Sequence, residues 1–254
     1  MIELKTKNRV TSNEQREPMK AMILAAGLGT RLKPLTDKIP KALVEINGST
    51  LLEQSLNHLK NYNITEVIIN VHHFADQIRD YLLRNHNFGM VITLSDESEQ
   101  LLDTGGGLKK ASWFFNDGCP FLVRNVDVIS DIDILKLQQH HAQNQGMATL
   151  VVRDRVTSRY FLFGEGLQLC GWENVNTGEK KITRENQPVM KRFAFSGLQI
   201  IEPAIFEHIS EQGTFSLTEM YLRLSADHMI VGFVDKESFW LDAGKAIPGD
   251  KVTK

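Results

Sequence analysis

The sequence has little cysteine, little proline and no long run of apolar residues. Cys119 and Cys170 are the two cysteines, and seven prolines occur in 254 residues. The cysteines lack CxxC spacing, so we expect two reduced, structural thiols in a cytoplasmic protein rather than a disulfide framework. No apolar run reaches the ~18–20 residues that a membrane span needs. Residues 1–18 are polar and lack the apolar core of a signal peptide, which predicts an N-terminal arm.

The sequence also lacks an excess of charge of either sign. The net charge is −2, with 29 basic and 31 acidic residues. A balance of this kind gives no broad field for nucleic acid or an anionic membrane, so neither is an expected partner. Any recognition of phosphate must therefore be local. The composition, 42% hydrophobic and 24% charged, is that of an ordinary globular protein.

Short apolar runs alternate with helical patterns in the first half of the chain. The predicted strands are Ala21–Ala26, Glu66–Val71, Met90–Leu94 and Pro120–Asp127. The predicted helices are Thr50–Tyr62, Phe74–Leu83, Gly107–Phe115 and Asp131–Gln145, the last capped by Ser130 or Asp131. This rhythm predicts an α/β fold with a mostly parallel sheet and helices on both faces.

Strands dominate after Met147. They are predicted over Ala148–Arg153, Tyr160–Phe163, Leu167–Trp172 and Arg192–Ile201, with a last pair at Met229–Phe233 and Phe239–Asp242. Helices are predicted near Pro203–Glu211 and Ser216–Leu224, and Glu173–Pro188 as a surface loop or hairpin. We interpret residues 19–254 as one domain, with a nucleotide-binding part over 19–146 and a β-rich, sugar-binding part over 147–254.

A glycine-rich segment follows the first strand and carries the strongest functional signal. It reads GLGTRLKPLT from Gly27 to Thr36, and Pro40 and Lys41 follow. Glycines at a strand end let main-chain N–H groups approach a phosphate closely. Arg31 and Lys41 can bracket a triphosphate. The dinucleotide-binding GxGxxG motif would need glycine at Leu32, and a P-loop would need Gly-Lys-Ser/Thr, so neither fits.

The whole run, LAAGLGTRLKPLT over Leu24–Thr36 with Pro40-Lys41, resembles the signature of the sugar-1-phosphate nucleotidyltransferases. The resemblance extends from Met19 to Gly244 and includes Asp103-Thr104-Gly105-Gly106-Gly107. It is closest to the small bacterial branch that activates mannose-1-phosphate or N-acetylmuramate-1-phosphate. The resemblance implies a three-layer Rossmann-like fold and an Mg²⁺-dependent transfer of a nucleotidyl group from an NTP to a sugar-1-phosphate, with release of pyrophosphate.

The resemblance also implies roles for individual residues. Nucleotide binding falls on the strand end and glycine loop, and base contact on the Thr-Gly-Gly stretch: Leu24, Ala25, Ala26, Gly27, Gly29, Thr30, Thr104 and Gly105. Arg31 and Lys41 are expected to act in catalysis. The strand end Asn70-Val71-His72-His73 is a weaker candidate for the base site.

Two aspartates end predicted strands far apart in the sequence. They are Asp127, in Asn125-Val126-Asp127, and Asp242, in Trp240-Leu241-Asp242. Ligands of open α/β sheets collect at the carboxyl ends of strands. Mg²⁺ takes one or two carboxylates together with water and phosphate oxygens. Both positions hold the catalytic metal in the resembling family, so Asp127 and Asp242 are the predicted Mg²⁺ ligands.

Ser196 and Gly197 lie inside a predicted strand, and an interior glycine often marks a close backbone approach. The family has a similar stretch in its sugar pocket, so Ser196, Gly197 and Asn125 are the predicted sugar-binding residues. Glu173 and Asn174 are further guesses for contacts to sugar hydroxyls.

The chain departs from the family at two places. Val126 stands where many members have glycine, and its side chain could crowd the sugar phosphate or point into the core. The Glu-Lys-Pro element of larger relatives is absent, with Lys180, Lys181 and Lys191 as stand-ins. These departures keep a non-catalytic nucleotide or sugar-phosphate sensor open.

A phosphocholine cytidylyltransferase shares the glycine signature and also stays open. Choline would need an aromatic cage, which Trp172, Trp240, Phe193 and Phe195 could provide. The base, the sugar and the oligomeric state stay open from the sequence, and a homodimer with contacts from residues 1–18 is among the alternatives.

Overall fold

The computed structural model describes residues 19–185 and 189–245, and a ten-stranded mixed sheet runs through it. The predicted N-terminal arm lies outside the described residues. The strands are β1 Ala21–Leu24, β2 Glu45–Ile46, β3 Ser49–Thr50, β4 Glu66–Val71, β5 Val91–Asp96, β6 Phe121–Asn125, β7 Val128–Ser130, β8 Ala148–Arg153, β9 Arg159–Phe163, β10 Leu169–Asn174, β11 Glu179–Ile182, β12 Lys191–Ile201, β13 Ile230–Val234 and β14 Trp240–Asp242. The helices are α1 Leu51–Asn61, α2 Ala75–Arg84, α3 Asp103–Lys110, α4 Ile134–Asn144 and α5 Leu217–Leu224.

The sheet is parallel across its first half. Its order is β11-β10-β9-β12-β6-β1-β4-β5, and β6, β1, β4 and β5 pair in parallel. The long strand β12 joins this half to the β-rich half, because it pairs antiparallel with β6, β8 and β9. The predicted α/β fold with a mostly parallel central sheet is therefore confirmed.

Helices cover both faces of the sheet, which gives three layers. Alternate residues of β1 enter separate cores: Ala21 and Ile23 pack with α1, α2 and α4, whereas Met22 and Leu24 pack with α3 and α5. All four are buried, as expected for a strand covered on both faces. No helix in the described ranges has both the length and the apolar character needed to cross a bilayer.

Helix α3 begins earlier than predicted. The sequence predicts a helix over Gly107–Phe115, but α3 begins at Asp103 and ends at Lys110, and a separate 3-10 turn covers Ser112–Phe114. Three consecutive glycines disfavour a helix. Here close packing overrides propensity, because a Cβ on Gly105 would lie 2.5 Å from the Phe215 ring.

Helix α4 is capped by a different residue from either of those expected. Asp133 accepts hydrogen bonds from the N–H groups of Leu135 (2.9 Å) and Lys136 (3.1 Å). Asp131 instead accepts from the N–H of Phe239 at 2.7 Å, just before β14. The sequence offered Ser130, Asp131 and Asp133 within four positions, and the tertiary contact with β14 takes Asp131 away from the helix.

The last two predicted strands, Met229–Phe233 and Phe239–Asp242, do not pair with each other, so the prediction of a final strand pair is wrong. Strand β13 pairs in parallel with β8, and β14 pairs antiparallel with the short, unpredicted strand β7. The segment predicted as a helix near Pro203–Glu211 is a 3-10 helix over Pro203–His208. The predicted loop or hairpin after Trp172 is a hairpin of β10 and β11, and residues 186–188 lie outside the described part.

The packing of α4 gives a matched test of the fold. Leu137 is fully buried, whereas Leu135 is 54% exposed on the same helix. We expect Leu137→Ala to lower the free energy of unfolding by about 2–5 kcal/mol. Leu135→Ala should change it by no more than about 0.5 kcal/mol. Denaturant unfolding of both variants measures this, and the reverse order would mean that α4 presents another face to the sheet.

Candidate active site

The glycine loop after β1 presents main-chain N–H groups to solvent. Among the described residues, none accepts a hydrogen bond from the N–H of Gly27, Leu28 or Gly29. Gly29 has φ +66°, and a Cβ there would lie 2.8 Å from Cγ2 of Thr36. Thr36 in turn donates to the Gly29 carbonyl at 2.8 Å. The loop is therefore a concave set of free N–H groups of the kind that binds anions.

A buried amide and carboxylate fix the start of this loop. Asn70, at the end of β4, accepts from the N–H of Ala25 at 2.7 Å and donates to Glu97 at 2.8 Å. Glu97 also accepts from the N–H of Leu102 at 3.1 Å, next to α3. Burial raises the pKa of Glu97, and its bonds to Asn70 and Leu102 oppose that rise. The glycine loop and the first turn of α3 are thus held to one buried pair.

Asp127 and Asp242 meet at the carboxyl end of the sheet, although 115 positions separate them. The Arg31 guanidinium lies between them, with Nη2 3.4 Å from Asp127 Oδ2 and Nη1 3.2 Å from Asp242 Oδ2. Lys41 Nζ is 2.9 Å from the same oxygen of Asp127. Two carboxylates and two cations give a cluster that is neutral overall.

This cluster meets the donor requirements of Mg²⁺. The described residues contain no group of three or more His, Cys, Asp or Glu side chains that could hold a metal on their own. Mg²⁺ does not need such a cage, because it keeps water and takes phosphate oxygens beside one or two carboxylates. A guanidinium already occupies the gap between two carboxylate oxygens, which shows that the gap attracts a cation.

A buried arginine supports the backbone that follows Asp127. Arg124 donates to the carbonyl of Val128 at 2.8 Å and to Nδ1 of His58 at 2.9 Å. His58 Nε2 lies 3.0 Å from the Ile132 carbonyl, so the neutral ring donates there and accepts from Arg124. Burial and the Arg124 charge lower the pKa of His58 to about 4, and burial lowers that of Arg124 to about 10. Near neutral pH the arginine is charged and the histidine is neutral.

A cavity of about 400 Å³ opens between the glycine loop, the carboxylates and the start of α3. It is lined by Leu24, Ala26, Gly27, Arg31, Lys41, Asn70, Leu101, Asp103, Thr104, Asn125, Asp127 and Thr214. An open groove of about 700 Å³ beside His140 and Lys191 is larger. Only the smaller cavity lies at the carboxyl ends of the parallel strands, where ligands of such sheets bind.

Of the residues predicted to contact the base, Thr104 lines the cavity, whereas Gly105, His72 and His73 do not. Thr104 lines the cavity, and its hydroxyl accepts from the N–H of Leu217 at 2.9 Å. Gly105 is buried, and its N–H donates to the Phe215 carbonyl at 2.9 Å. His72 bonds to the Glu97 carbonyl at 2.7 Å, and the ring of the exposed His73 lies 3.8 Å from that of Phe74.

The predicted sugar residues lie beside Asn125, at the wall of the cavity. Gly197 has φ +79°, and a Cβ there would lie 3.3 Å from Asn125 Nδ2 and 2.6 Å from Val128. Ser196 is fully buried behind this wall, and its carbonyl accepts from the Trp240 indole at 2.9 Å. The glycine is therefore needed for close approach, whereas the Ser196 hydroxyl does not reach the cavity.

The residues behind the two alternatives have other surroundings. Val126 is fully buried in the core with Val128 and Leu198, so its side chain does not crowd the cavity. The Trp240 ring is covered by the Arg155 guanidinium, 4.2 Å from the ring centroid. Trp172 has Lys181 at 6.0 Å, and Phe193 and Phe195 pack against the second core. Phe193 and Phe195 contact the rings of Phe163 and Phe161, and among the described residues no ring contact joins two of these four aromatic side chains.

Sequence reasoning missed Glu97, Thr36 and Phe215 as residues that shape the site. Glu97 and Phe215 act through contacts between segments far apart in the sequence, and a single polar or aromatic residue gave no signal for that. Thr36 lies in the glycine-rich segment, but its bond to the Gly29 carbonyl could not be read from the sequence. Asn70, in contrast, could be noticed in the sequence, because it is a polar residue at the end of a predicted buried strand.

The chain is similar to known proteins over nearly its whole length. The family model "Nucleotidyl transferase" matches residues 20–247. N-acetylmuramate alpha-1-phosphate uridylyltransferase of Caulobacter vibrioides is 32% identical, over 89% of this chain and 92% of that protein. A probable mannose-1-phosphate guanylyltransferase of Oryza sativa is 30% identical, over 92% of this chain. This chain spans 63% of the length of that plant relative.

Solved structures with low sequence identity share the fold. HddC from Yersinia pseudotuberculosis complexed with GMP-PN superposes with a TM-score of 0.71 at 23% identity, over 91% of this chain and 95% of that chain. A UDP-glucose pyrophosphorylase complexed with UDP-glucose gives 0.72 at 17% identity, over 90% and 94%. These matches show the fold. The family model and the C. vibrioides relative establish that the chain belongs to the nucleotidyl transferase family, an enzyme family, within the sugar-1-phosphate branch that its sequence resembles.

Proposed function

We propose that this enzyme transfers a nucleotidyl group from an NTP to a sugar-1-phosphate, releases pyrophosphate and requires Mg²⁺. The observation that carries the proposal is the cluster of Arg31, Lys41, Asp127 and Asp242 beside a loop of free N–H groups. Such a cluster suits a reaction between two phosphorylated anions. The similarity to a uridylyltransferase and a guanylyltransferase, both acting on sugar-1-phosphates by name, gives further support.

The reaction is a single in-line displacement. An oxygen of the sugar-1-phosphate forms a bond to the α-phosphorus of the NTP, and the bond to pyrophosphate breaks. The attacking phosphate oxygen is already ionised near neutral pH, so no general base is needed. The protein must hold two mutually repelling anions in line and neutralise the charge of the transition state.

The side chains divide this work by their chemistry. The N–H groups of Gly27, Gly29 and Thr30 receive phosphate oxygens of the NTP. Arg31 and Lys41 neutralise the β- and γ-phosphates and the departing pyrophosphate. Arg31 is suited to this because its side chain is 55% exposed and can turn from the carboxylates to a phosphate. Asp127 and Asp242 hold Mg²⁺, which when bound shields charge on the two reacting phosphates.

The residues proposed to contact the base and the sugar are assigned by their position around the cavity. Leu24, Ala25, Ala26, Thr104 and Gly105 form the side proposed for the base, and Asn125, Ser196 and Gly197 the side proposed for the sugar. Asn125 is suited to a sugar hydroxyl because its side chain both donates and accepts. Gly105 and Ser196 are both buried. They contribute through main-chain hydrogen bonds, from the N–H of Gly105 to Phe215 and from Trp240 to the carbonyl of Ser196. Residues 19–146 and 147–254 are the proposed nucleotide-binding and sugar-binding parts.

The substrates can be identified by measuring pyrophosphate release. With Mg²⁺ present, we expect release for one pairing in a matrix of UTP, GTP, CTP and dTTP against mannose-1-phosphate, glucose-1-phosphate, N-acetylmuramate-1-phosphate and phosphocholine. Replacing Mg²⁺ by EDTA should abolish it. Binding of an NTP without release in any pairing would overturn the transferase proposal and favour a sensor, and release with phosphocholine alone would favour the cytidylyltransferase.

The metal ligands can be tested by substitutions that keep size and remove charge. We expect Asp127→Asn and Asp242→Asn each to lower kcat by about 100-fold or more, because the cation loses a carboxylate ligand. Asp80→Asn is the matched control, since Asp80 is exposed on α2. Unfolding midpoints close to that of the wild type should accompany all three variants. Wild-type kcat in either site variant would contradict the metal assignment.

Arg31 should act on charge rather than on base choice. We expect Arg31→Ala to lower kcat by about 10²–10³-fold, as for loss of one transition-state contact. The ratio of kcat/KM between two NTPs should stay unchanged. Lys33→Ala serves as control, because Lys33 pairs with Asp37 at 3.3 Å instead of with the cluster. A changed preference among NTPs would contradict the assigned role.

A further inference from the structure

Arg155 lies beside the carboxylate cluster and has no acidic partner among the described residues. Its guanidinium stacks on the Trp240 ring at 4.2 Å, and Nη2 donates to the Phe195 carbonyl at 2.9 Å. Its Nε is buried and has no partner within the described part of the chain. Stacking uses the faces of the guanidinium, so the in-plane N–H groups that the Phe195 carbonyl does not take are left for hydrogen bonds to an oxyanion.

The neighbouring arginines differ in this respect. Arg153 forms an ion pair with Asp235 at 2.6 Å. Arg192 reaches Glu173 at 3.5 Å and stacks over Tyr160. Carboxylates of the protein pair with both of these arginines, whereas the half-buried Arg155 forms no ion pair with any carboxylate in the described ranges. A half-buried cation without a carboxylate partner is costly to keep unless a ligand completes it.

A series of contacts connects Arg155 to the sugar side of the cavity. Asn125 lines the cavity and lies against Gly197, and the next carbonyl, of Ser196, accepts from Trp240. Trp240 and Asp242 are two positions apart on β14, so their side chains share one face of that strand. Burial lowers the pKa of Arg155, and the negative charge of nearby Asp242 opposes that fall.

The lysines considered as stand-ins for the missing Glu-Lys-Pro lysine lie elsewhere. Lys181 pairs with Glu179 at 3.4 Å on the exposed hairpin, and Lys180 is on the same exposed strand. Lys191 lines the separate groove beside His140. Within the described part of the chain, none of the three lysines contacts Asp242, Trp240 or Asn125, whereas Arg155 stacks on Trp240.

We propose that Arg155, stacked on Trp240, binds an oxyanion of the acceptor and thereby selects the acceptor. This inference rests on the proposed function. Two sources share the chemistry: the phosphate on C1 of the sugar, and a carboxylate carried by the sugar ring. In either case the group approaches the edge of the guanidinium from the side of Asn125 and Gly197.

Two acceptors, one with and one without a carboxylate on the sugar ring, distinguish the sources. N-acetylmuramate-1-phosphate is N-acetylglucosamine-1-phosphate with an added lactyl ether, so only the first carries a carboxylate. Binding of both is measured by calorimetry with wild-type protein, Arg155→Gln and Arg155→Lys. Mg²⁺ and an α,β-methylene analogue of UTP or of GTP, in separate runs, prevent turnover. Arg159→Gln is the control, since Arg159 is an exposed arginine of β9.

We expect Arg155→Gln to weaken binding of at least one sugar phosphate by about tenfold or more, and Arg155→Lys to weaken it less, because the lysine keeps charge but not the two-pronged geometry. Binding of the nucleotide analogue should stay within about twofold for all variants. Equal loss for both acceptors assigns the C1 phosphate, and loss confined to N-acetylmuramate-1-phosphate assigns the carboxylate.

Two results would overturn the inference. One is unchanged binding of both acceptors in Arg155→Gln. The other is a wild-type protein that binds neither of these acceptors, nor mannose-1-phosphate or glucose-1-phosphate titrated in the same way, since Arg155 would then have no acceptor oxyanion to hold. Because binding is measured without turnover, failure of catalysis in the pyrophosphate assay is seen separately from failure at Arg155.

Discussion

The mutual repulsion of two carboxylates is the constraint around which this structure is arranged. Asp127 and Asp242 face the same small region at the edge of the sheet, and both are largely buried, where like charges repel more strongly than in water. Arg31 and Lys41 relieve that repulsion, with contacts of 2.9–3.4 Å. Since both cations come from the segment after β1, the glycine loop is drawn against the carboxylates, and the cavity forms between them.

Main-chain pairing holds that arrangement in place. Strand β14 pairs with β7, and the N–H of Ala243 donates to the carbonyl of Asp127 at 2.9 Å. Arg124 donates to the Val128 carbonyl of β7 and His58 to the Ile132 carbonyl just after it. Asp131 accepts from the N–H of Phe239, the residue before β14. The carboxylates are therefore set by rigid strands, whereas the exposed Arg31 side chain is the part of the cluster that can move. Such a division suits a site that must accept and release a polyanion.

The features that could be predicted from the sequence are those that a local pattern of residues determines. Strands β1, β4 and β8 are buried on both faces and read as apolar runs, so their positions were clear, and the glycine loop with Arg31 and Lys41 was recognisable as a unit. Contacts between distant segments could not be read. Examples are the pairing of the three-residue strands β7 and β14, the helical glycines held by Phe215, and the buried Val126. Arg155 also gave no signal, because its meaning depends on Trp240, 85 positions away.

If Asp127 and Asp242 hold Mg²⁺ as proposed, the bridging position of Arg31 links the affinities for metal and nucleotide. Without ligands the cluster is neutral, so Mg²⁺ arriving alone would have to displace a cation. A nucleotide arriving alone would draw Arg31 away and leave Asp242 without its ion pair, while Asp127 keeps Lys41. When both arrive, each removes the penalty that the other creates. By thermodynamic reciprocity the metal strengthens nucleotide binding by the same factor as the nucleotide strengthens metal binding. The resting ion pairs thus make the site discriminate against either ligand on its own.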